Sequence, residues 1–219
     1  MQLIDLSHAI HPKMPLFSTE APQPKVRAWM SHAKAAASGN YEDCSCEISE
    51  VNFITSTGTY LDSPYHFNLG GVSIEEITLE QVVLPGIIIN CKNALTHDGI
   101  GPEALNGKEI SGKAVLFNTG WSRYWGQPAY YKFPFLLEEM AIRLKEEEVK
   151  LVGVDFLVID DTTNPRRPVH NTLLKQNILI VENLTNLNAL PEKDFVFHAA
   201  PEKFKGAASF PVRAYAVVS

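Results

Sequence analysis

FPFLLEEMAIRLKEEEVKLVGVDFLVI, residues 133 to 159, joins two kinds of order end to end. In its first half Leu137, Met140, Ala141 and Leu144 recur at helical spacing, Glu138, Glu139, Arg143 and Lys145 face outward, and Pro134 stands near the start. Glu146, Glu147 and Glu148 read as a solvated helix end. The second half, VKLVGVDFLVI (149–159), is a short apolar run rich in Val, the pattern of a buried strand. A helix feeding directly into such a strand implies an α/β fold.

Working outward, KAVLFNTG (113–120), NILIVENL (177–184) and PVRAYAVV (211–218) are further apolar runs bounded by Gly, Pro, Asp or Asn. LPGIIINCK (84–92) reads the same way, with Pro85-Gly86 as the entering turn, and EISEVNFIT (47–55) predicts a strand running into a polar segment. SIEEITLEQVV (73–83) predicts a second, shorter helix, because Ser73 and Glu76 form a capping box, and HNTLLKQ (170–176) predicts a helical turn. No repeat, low-complexity tract or linker interrupts the chain. The expectation is one α/β domain over residues 1–219 with its site on the sheet edges.

The 219 residues are 45% hydrophobic, enough for a sizeable core, with a net charge of -6 and a pI near 5.6. That charge argues against broad nucleic-acid binding, which needs a basic face, and favours a small-molecule substrate. The N-terminus MQLIDLSHAIHP lacks a basic segment followed by a long apolar one, and no run approaches the roughly 20 apolar residues that span a bilayer. Cys44, Cys46 and Cys91 are three, so they cannot all pair within the chain. A cytoplasmic protein without disulfides or membrane contact is expected, with Cys44 and Cys46 as small residues on a strand face.

Two segments about a hundred residues apart carry the chemistry: STGTYLDSPYHF (56–67), and His170 followed twelve positions later by Glu182. Together they supply Asp62, His66, His170 and Glu182, side chains that bind divalent metals and carry protons, so a metal-activated water and a hydrolase site are expected. Singly, Asp62 could organise a turn, His66 could be an interior histidine and Glu182 a strand-end residue. A carboxylate in an apolar run costs free energy unless paired, however, and a metal is one suitable partner. Trp121, Tyr124 and Trp125 offer aromatic walls for a ring-bearing substrate or could fill the core. Asp160-Asp161, Asn164 and Arg166-Arg167 form a polar loop ahead of His170, either solvated or reaching over the site. His8, His11, His32, His97 and His198 receive no role.

These residues resemble the kynurenine formamidase and putative cyclase family, which includes isatin hydrolases and carries the motif His-x-Gly-Thr-His-x-Asp-x-Pro-x-His. Residues 56 to 66 align without a gap, with Gly58, Thr59, Asp62, Pro64 and His66 matching. IDLSHAIHPKMPLF, FNTGW (117–121), LVGVD (151–155), HNTLL (170–174), VENLTNL (181–187) and FPVRAYAV (210–217) resemble its other blocks, in order. The resemblance implies a compact fold with a β-rich core of the swivelling β/β/α type and flanking helices, and a homodimer or homotetramer. It implies metal ligation by Asp62, His170 and Glu182, and proton transfer by His66.

The motif's first two histidines correspond to Ser56 and Tyr60. A serine hydroxyl ligates zinc poorly and a tyrosine must first lose a proton, so one of two metal sites is expected to be lost. The remaining three ligands leave a fourth position for water, as in catalytic zinc sites, and two carboxylates allow manganese to compete. The expected activity is metal-dependent hydrolysis of a carbon-nitrogen bond in an amide or cyclic amide, arylformamidase-like. His66 is then the base, Tyr60 a hydrogen-bond donor to the oxyanion, and Ser56 and Trp121 line the substrate. A lactonase of the same family and an inactive small-molecule binding protein are the alternatives, to be separated by metal analysis with a hydrolase panel.

Overall fold

The computed structural model describes residues 1–218. Thirteen strands run in chain order: β1 (Gln2–Asp5), β2 (Lys25–Met30), β3 (Ile48–Asn52), β4 (Tyr60–Asp62), β5 (Val83–Asn90), β6 (Gly99–Ile100), β7 (Ala114–Asn118), β8 (Phe135–Leu136), β9 (Leu151–Val154), β10 (Leu179–Glu182), β11 (Phe195–His198), β12 (Ser209–Pro211) and β13 (Tyr215–Val218). Three helices accompany them, α1 (His32–Ala37), α2 (Glu138–Glu146) and α3 (Pro168–Leu174).

Nine strands form the main sheet in the order β1-β13-β11-β5-β7-β9-β10-β4-β12. Its middle, β5-β7-β9-β10, is parallel, and every pairing outside it is antiparallel. β12 and β13 stand at or next to opposite ends of this order, yet only Val212, Arg213 and Ala214 separate them. Three residues reach about 10 Å, so the sheet must curl until its two edges approach each other. The backbone closes the gap: Val212 N donates to Thr59 O at 2.9 Å, Leu6 N to Ala214 O at 2.9 Å and Thr185 N to Leu6 O at 3.0 Å.

Central strands covered on both faces explain the unbroken apolar runs. Val115, Phe117, Val152, Val154 and Ile180 pack towards α2 and α3, against Met140, Ala141, Leu144, Leu173 and Leu174. Ala114, Leu116, Leu151, Leu179 and Val181 point the other way, into a second cluster with Leu61, Phe197 and Ala216. The site therefore has an apolar foundation on both sides of the sheet.

Several local expectations change. Residues 73–83 form two 3-10 turns, Ile74–Glu76 and Leu79–Gln81, because Thr78 and Gln81 make a second capping box five residues after the first and the chain extends between them at Ile77 (ψ 127°). Pro85 and Gly86 lie inside β5, opposite Val196 and Phe195, and do not form a turn; a Cβ on Gly86 would come within 2.1 Å of the Phe195 ring. Strand β3 pairs only with β2 in a separate ribbon, while the site motif carries its own strand, β4, in the main sheet. PVRAYAVV divides at the crossing between β12 and β13. Cys44 and Cys46 lie in irregular chain ahead of β3, and all three cysteines are free. No helix among the described residues is long and apolar enough to cross a membrane.

Candidate metal centre and active site

Strand pairing assembles the first half of the site. β4 lies between β10 and β12, with Tyr60 opposite Glu182, Leu61 opposite Val181 and Asp62 opposite Ile180. Side chains alternate along strands, so while Leu61 and Val181 enter the far cluster, Tyr60, Asp62 and Glu182 share the face of Ile180, towards α3. Gly58 turns the chain into β4 at φ +70°, a left-handed conformation that suits glycine. Asn183 secures that turn: its Nδ2 donates to Gly58 O at 2.9 Å and its carbonyl accepts from Thr59 Oγ1 at 2.6 Å.

Helix α3 brings the second half. Pro168 opens it, and Asp160 anchors its first turn by accepting from Val169 N at 2.9 Å and His170 N at 3.0 Å. The same Asp160 carboxylate accepts from His170 Nδ1 at 2.6 Å, which leaves Nε2 pointing at Asp62 and Glu182. Phe67 stacks on the His170 ring with centroids 4.5 Å apart and holds its plane.

The groups converge. His170 Nε2 is 3.8 Å from Asp62 Oδ2 and 3.5 Å from Glu182 Oε1, and His66 Nε2 is 3.7 Å from Asp62 Oδ1. One ligating atom each from Asp62, His66 and His170 lies within 4.8 Å of the others. Asp62 is fully buried, yet neither of its carboxylate oxygens has a hydrogen-bond partner. An unpaired buried carboxylate is strongly unfavourable, so the residues fit a cation placed among them.

The electrostatics agree. At His170 burial favours the neutral ring, but the hydrogen bond to Asp160 and the nearby negative charges of Asp62 and Glu182 prevail, raising its pKa to about 10. The surrounding carboxylates thus demand a positive charge at this point, which a divalent ion also supplies. Burial pushes Glu182 up to about 7 with Asp62 adding to it, against the opposing pull of His170 and of donors Tyr60 and Ile159. Burial, then the charges of Glu182 and Asp62, hold the Tyr60 phenol well above its ordinary value, so it stays protonated.

Of the residues expected at the site, Asp62, His66, His170, Glu182, Tyr60 and Ser56 come together. Two expectations need correction. Trp121 is buried in the helix-side core, with Nε1 donating to Tyr130 O at 3.3 Å, and does not line the cavity. Tyr60 does line it, but its hydroxyl donates to Glu182 Oε2 and is not free for an oxyanion. Glu182 Oε1 also accepts from Ile159 N, at 2.7 Å.

A cavity of about 340 Å³ opens over these groups, with Phe17, Phe67 and Val158 as apolar walls and Ser56, Thr162 and Arg167 as polar ones. It sits at the carboxyl end of β10, where open α/β sheets commonly bind ligands. Sequence reasoning gave Phe17 and Phe67 no role at the site, and placed Asp160 only in a polar loop, either solvated or reaching over it. The acidic side chain of Asp160, eight positions ahead of the helix-opening Pro168, is too distant for a capping signal, so the fold was needed to place it.

Fold and donor set together define a hydrolase that works with a bound metal. A family described as putative cyclase matches residues 4–161, and the chain belongs to that family. A kynurenine formamidase from Geobacillus thermodenitrificans is 26% identical over 213 residues, covering 96% of this chain and 95% of its own. Isatin hydrolase A from Labrenzia aggregata superposes with a TM-score of 0.86 over 99% of this chain and 93% of its own, at 24% identity. A potential metal-dependent hydrolase with cyclase activity does so with a TM-score of 0.80 at 26% identity, over 98% and 96% of the two chains.

Proposed function

We propose that the protein, a single domain over residues 1–219, hydrolyses a carbon-nitrogen bond in a small amide or cyclic amide, with an aryl formamide as the first substrate to test. The observation that carries this reading is the buried Asp62 carboxylate, free of hydrogen bonds and facing two histidines. Asp62, His170 and Glu182 would hold one divalent ion, zinc first, with manganese competing because two of the three ligands are carboxylates. When bound, such an ion polarises a carbonyl and makes water acidic near neutral pH.

The chain's own residues do the rest. His66, whose side chain is 31% exposed and faces the cavity, takes a proton from the attacking water and returns it to the leaving nitrogen as the carbon-nitrogen bond breaks. Asp160 and Phe67 fix the His170 ring, and Tyr60 favours the ionised form of Glu182 by donating to it, against the effect of burial. Phe17, Phe67 and Val158 shield the reacting bond from bulk water.

A second assignment has its own observation: His66 lies within ligating distance of Asp62 and His170, while both Glu182 oxygens already accept hydrogen bonds. Metal content of a His66→Ala variant separates the two. Retained metal with lost turnover makes His66 the base, and lost metal makes it a ligand. For the activity itself, freshly purified protein is assayed against aryl formamides, cyclic amides and lactones with and without a chelator; no chelator-sensitive turnover of any of them would overturn the reading. We further infer a homodimer or homotetramer working in the cytoplasm, which light scattering and cell fractionation check; the three free cysteines suit a reducing compartment.

A further inference from the structure

We propose that Arg167 makes this a site for anionic substrates, an N-acyl arylamine or cyclic amide carrying a carboxylate beside the scissile bond; this rests on the amide-hydrolase reading above. Arg167 is the one lysine or arginine lining the cavity, next to Thr162 and across from the apolar walls. It is half-buried, and among the described residues no carboxylate forms an ion pair with it. Its Nη1 donates to the backbone oxygen of Asp161 at 2.9 Å. The Asp161 carboxylate is taken up by Thr163 N and Oγ1, both at 2.8 Å. A guanidinium has five donors, so the rest remain for a ligand.

The backbone supports a functional role. Arg167 has φ 45° and ψ 59°, a left-handed conformation rare outside glycine, and it precedes Pro168, which further disfavours helical values. Such strain persists where neighbours over-determine it, and it gathers at ligand-binding positions. Here Arg167 N donates to Asn164 O at 3.2 Å, while Asn171 N and Nδ2 donate to Arg167 O at 3.0 and 3.1 Å.

Position sets the reach. Arg167 caps α3 three residues before His170, and both side chains line the same cavity. A carboxylate held by Arg167 therefore lies a few bonds from a carbonyl above His170, as in an ortho-substituted aryl amide. The buried acids Asp62, Asp160 and Glu182 would repel an anionic substrate that lacked this counter-charge.

The test compares N-formylanthranilate with neutral formanilide on the metal-loaded enzyme, using Arg167→Gly and Arg167→Lys. Glycine accepts the left-handed backbone, so the first variant removes the guanidinium while preserving the turn. The unmodified protein should prefer N-formylanthranilate. In Arg167→Gly its kcat/KM should fall at least about tenfold, the scale of a charge-assisted bond, with formanilide changing less than about threefold and lysine restoring part of the loss. Equal losses on both substrates, or preference for formanilide, overturn the assignment. If neither is hydrolysed, the aryl-formamide form of that reading fails separately, and calorimetry with anthranilate still decides Arg167. Weaker binding to Arg167→Gly supports it, whereas unchanged or absent binding overturns it.

Discussion

Replacing Asp160 with Asn probes how the centre is held, because this side chain touches no substrate and yet governs His170. Asp160 accepts three hydrogen bonds, from Val169 N at 2.9 Å, His170 N at 3.0 Å and His170 Nδ1 at 2.6 Å. Asparagine keeps one acceptor oxygen. Its better orientation leaves that oxygen against the two His170 donors and sets the amide NH2 against Val169 N, donor facing donor. An unsatisfied buried donor costs about 1 kcal/mol or more, and weakening the charged bond to His170 costs about another 1 kcal/mol. Calorimetric unfolding should show Tm lower by about 4–8 °C, since 1 kcal/mol shifts a chain of this size by about 2–4 °C. Losing the partner that orients a metal-binding histidine lowers metal affinity about 10- to 100-fold, which competition with a chromophoric chelator measures. Zinc affinity within about threefold of the parent, despite a lowered Tm, would refute the reasoning: Asp160 would then be a helix cap alone.

Elemental analysis of the parent should give no more than one ion per chain, and Ser56→His combined with Tyr60→His should raise it towards two. Tyr60→Phe should weaken metal binding about tenfold while leaving kcat at saturating metal within a few-fold; a kcat loss of about 100-fold or more with unchanged metal affinity would restore the oxyanion role. Burial raises Asp155 from 3.8 to about 6, against the hydrogen bonds from Thr119 and Gly120. The folded chain thus holds a proton that the unfolded chain releases between about pH 4 and 6, and stability falls by up to about 3 kcal/mol as pH rises through that window. Denaturant titrations across this range should show a steeper fall in the parent than in Asp155→Asn, whose remaining slope comes from other raised groups such as Glu182; equal slopes would refute the assignment.

The parts of the fold that the sequence announced are those where one local rule acts alone. The buried strands from 113 to 120, 149 to 159 and 177 to 184 and the helix around Met140 and Leu144 follow from apolar pattern, and all appear with trimmed ends. The pattern could not show that Pro85-Gly86 stays in β5, since that depends on the Phe195 ring covering Gly86 from a strand more than a hundred residues away. Trp121 failed for a related reason: the same aromatic side chain suits a core or a cavity wall, and only its contact with Tyr130 decides. At the site, ligand types and spacing located Asp62, His66, His170 and Glu182. The burial of Asp160 and the free guanidinium of Arg167 depend on how the loop folds back onto α3, which spacing does not encode.

Tyr60 joins these two levels. Its side chain stands where the family motif has a histidine, and the β4-β10 register places it directly opposite Glu182, so a substitution in one motif acts on the carboxylate of the other. A histidine there would offer a lone pair to a second ion. The phenol, held well above its ordinary pKa by burial and two nearby acids, offers a proton. It therefore stabilises negative charge on Glu182, and in the one-ion centre proposed above that would strengthen the carboxylate's hold on the ion. In the same proposal it would leave a second ion beside Asp62 without a strong ligand at position 60. In that proposal, the loss of one metal position and the support of the other would be consequences of the same hydroxyl.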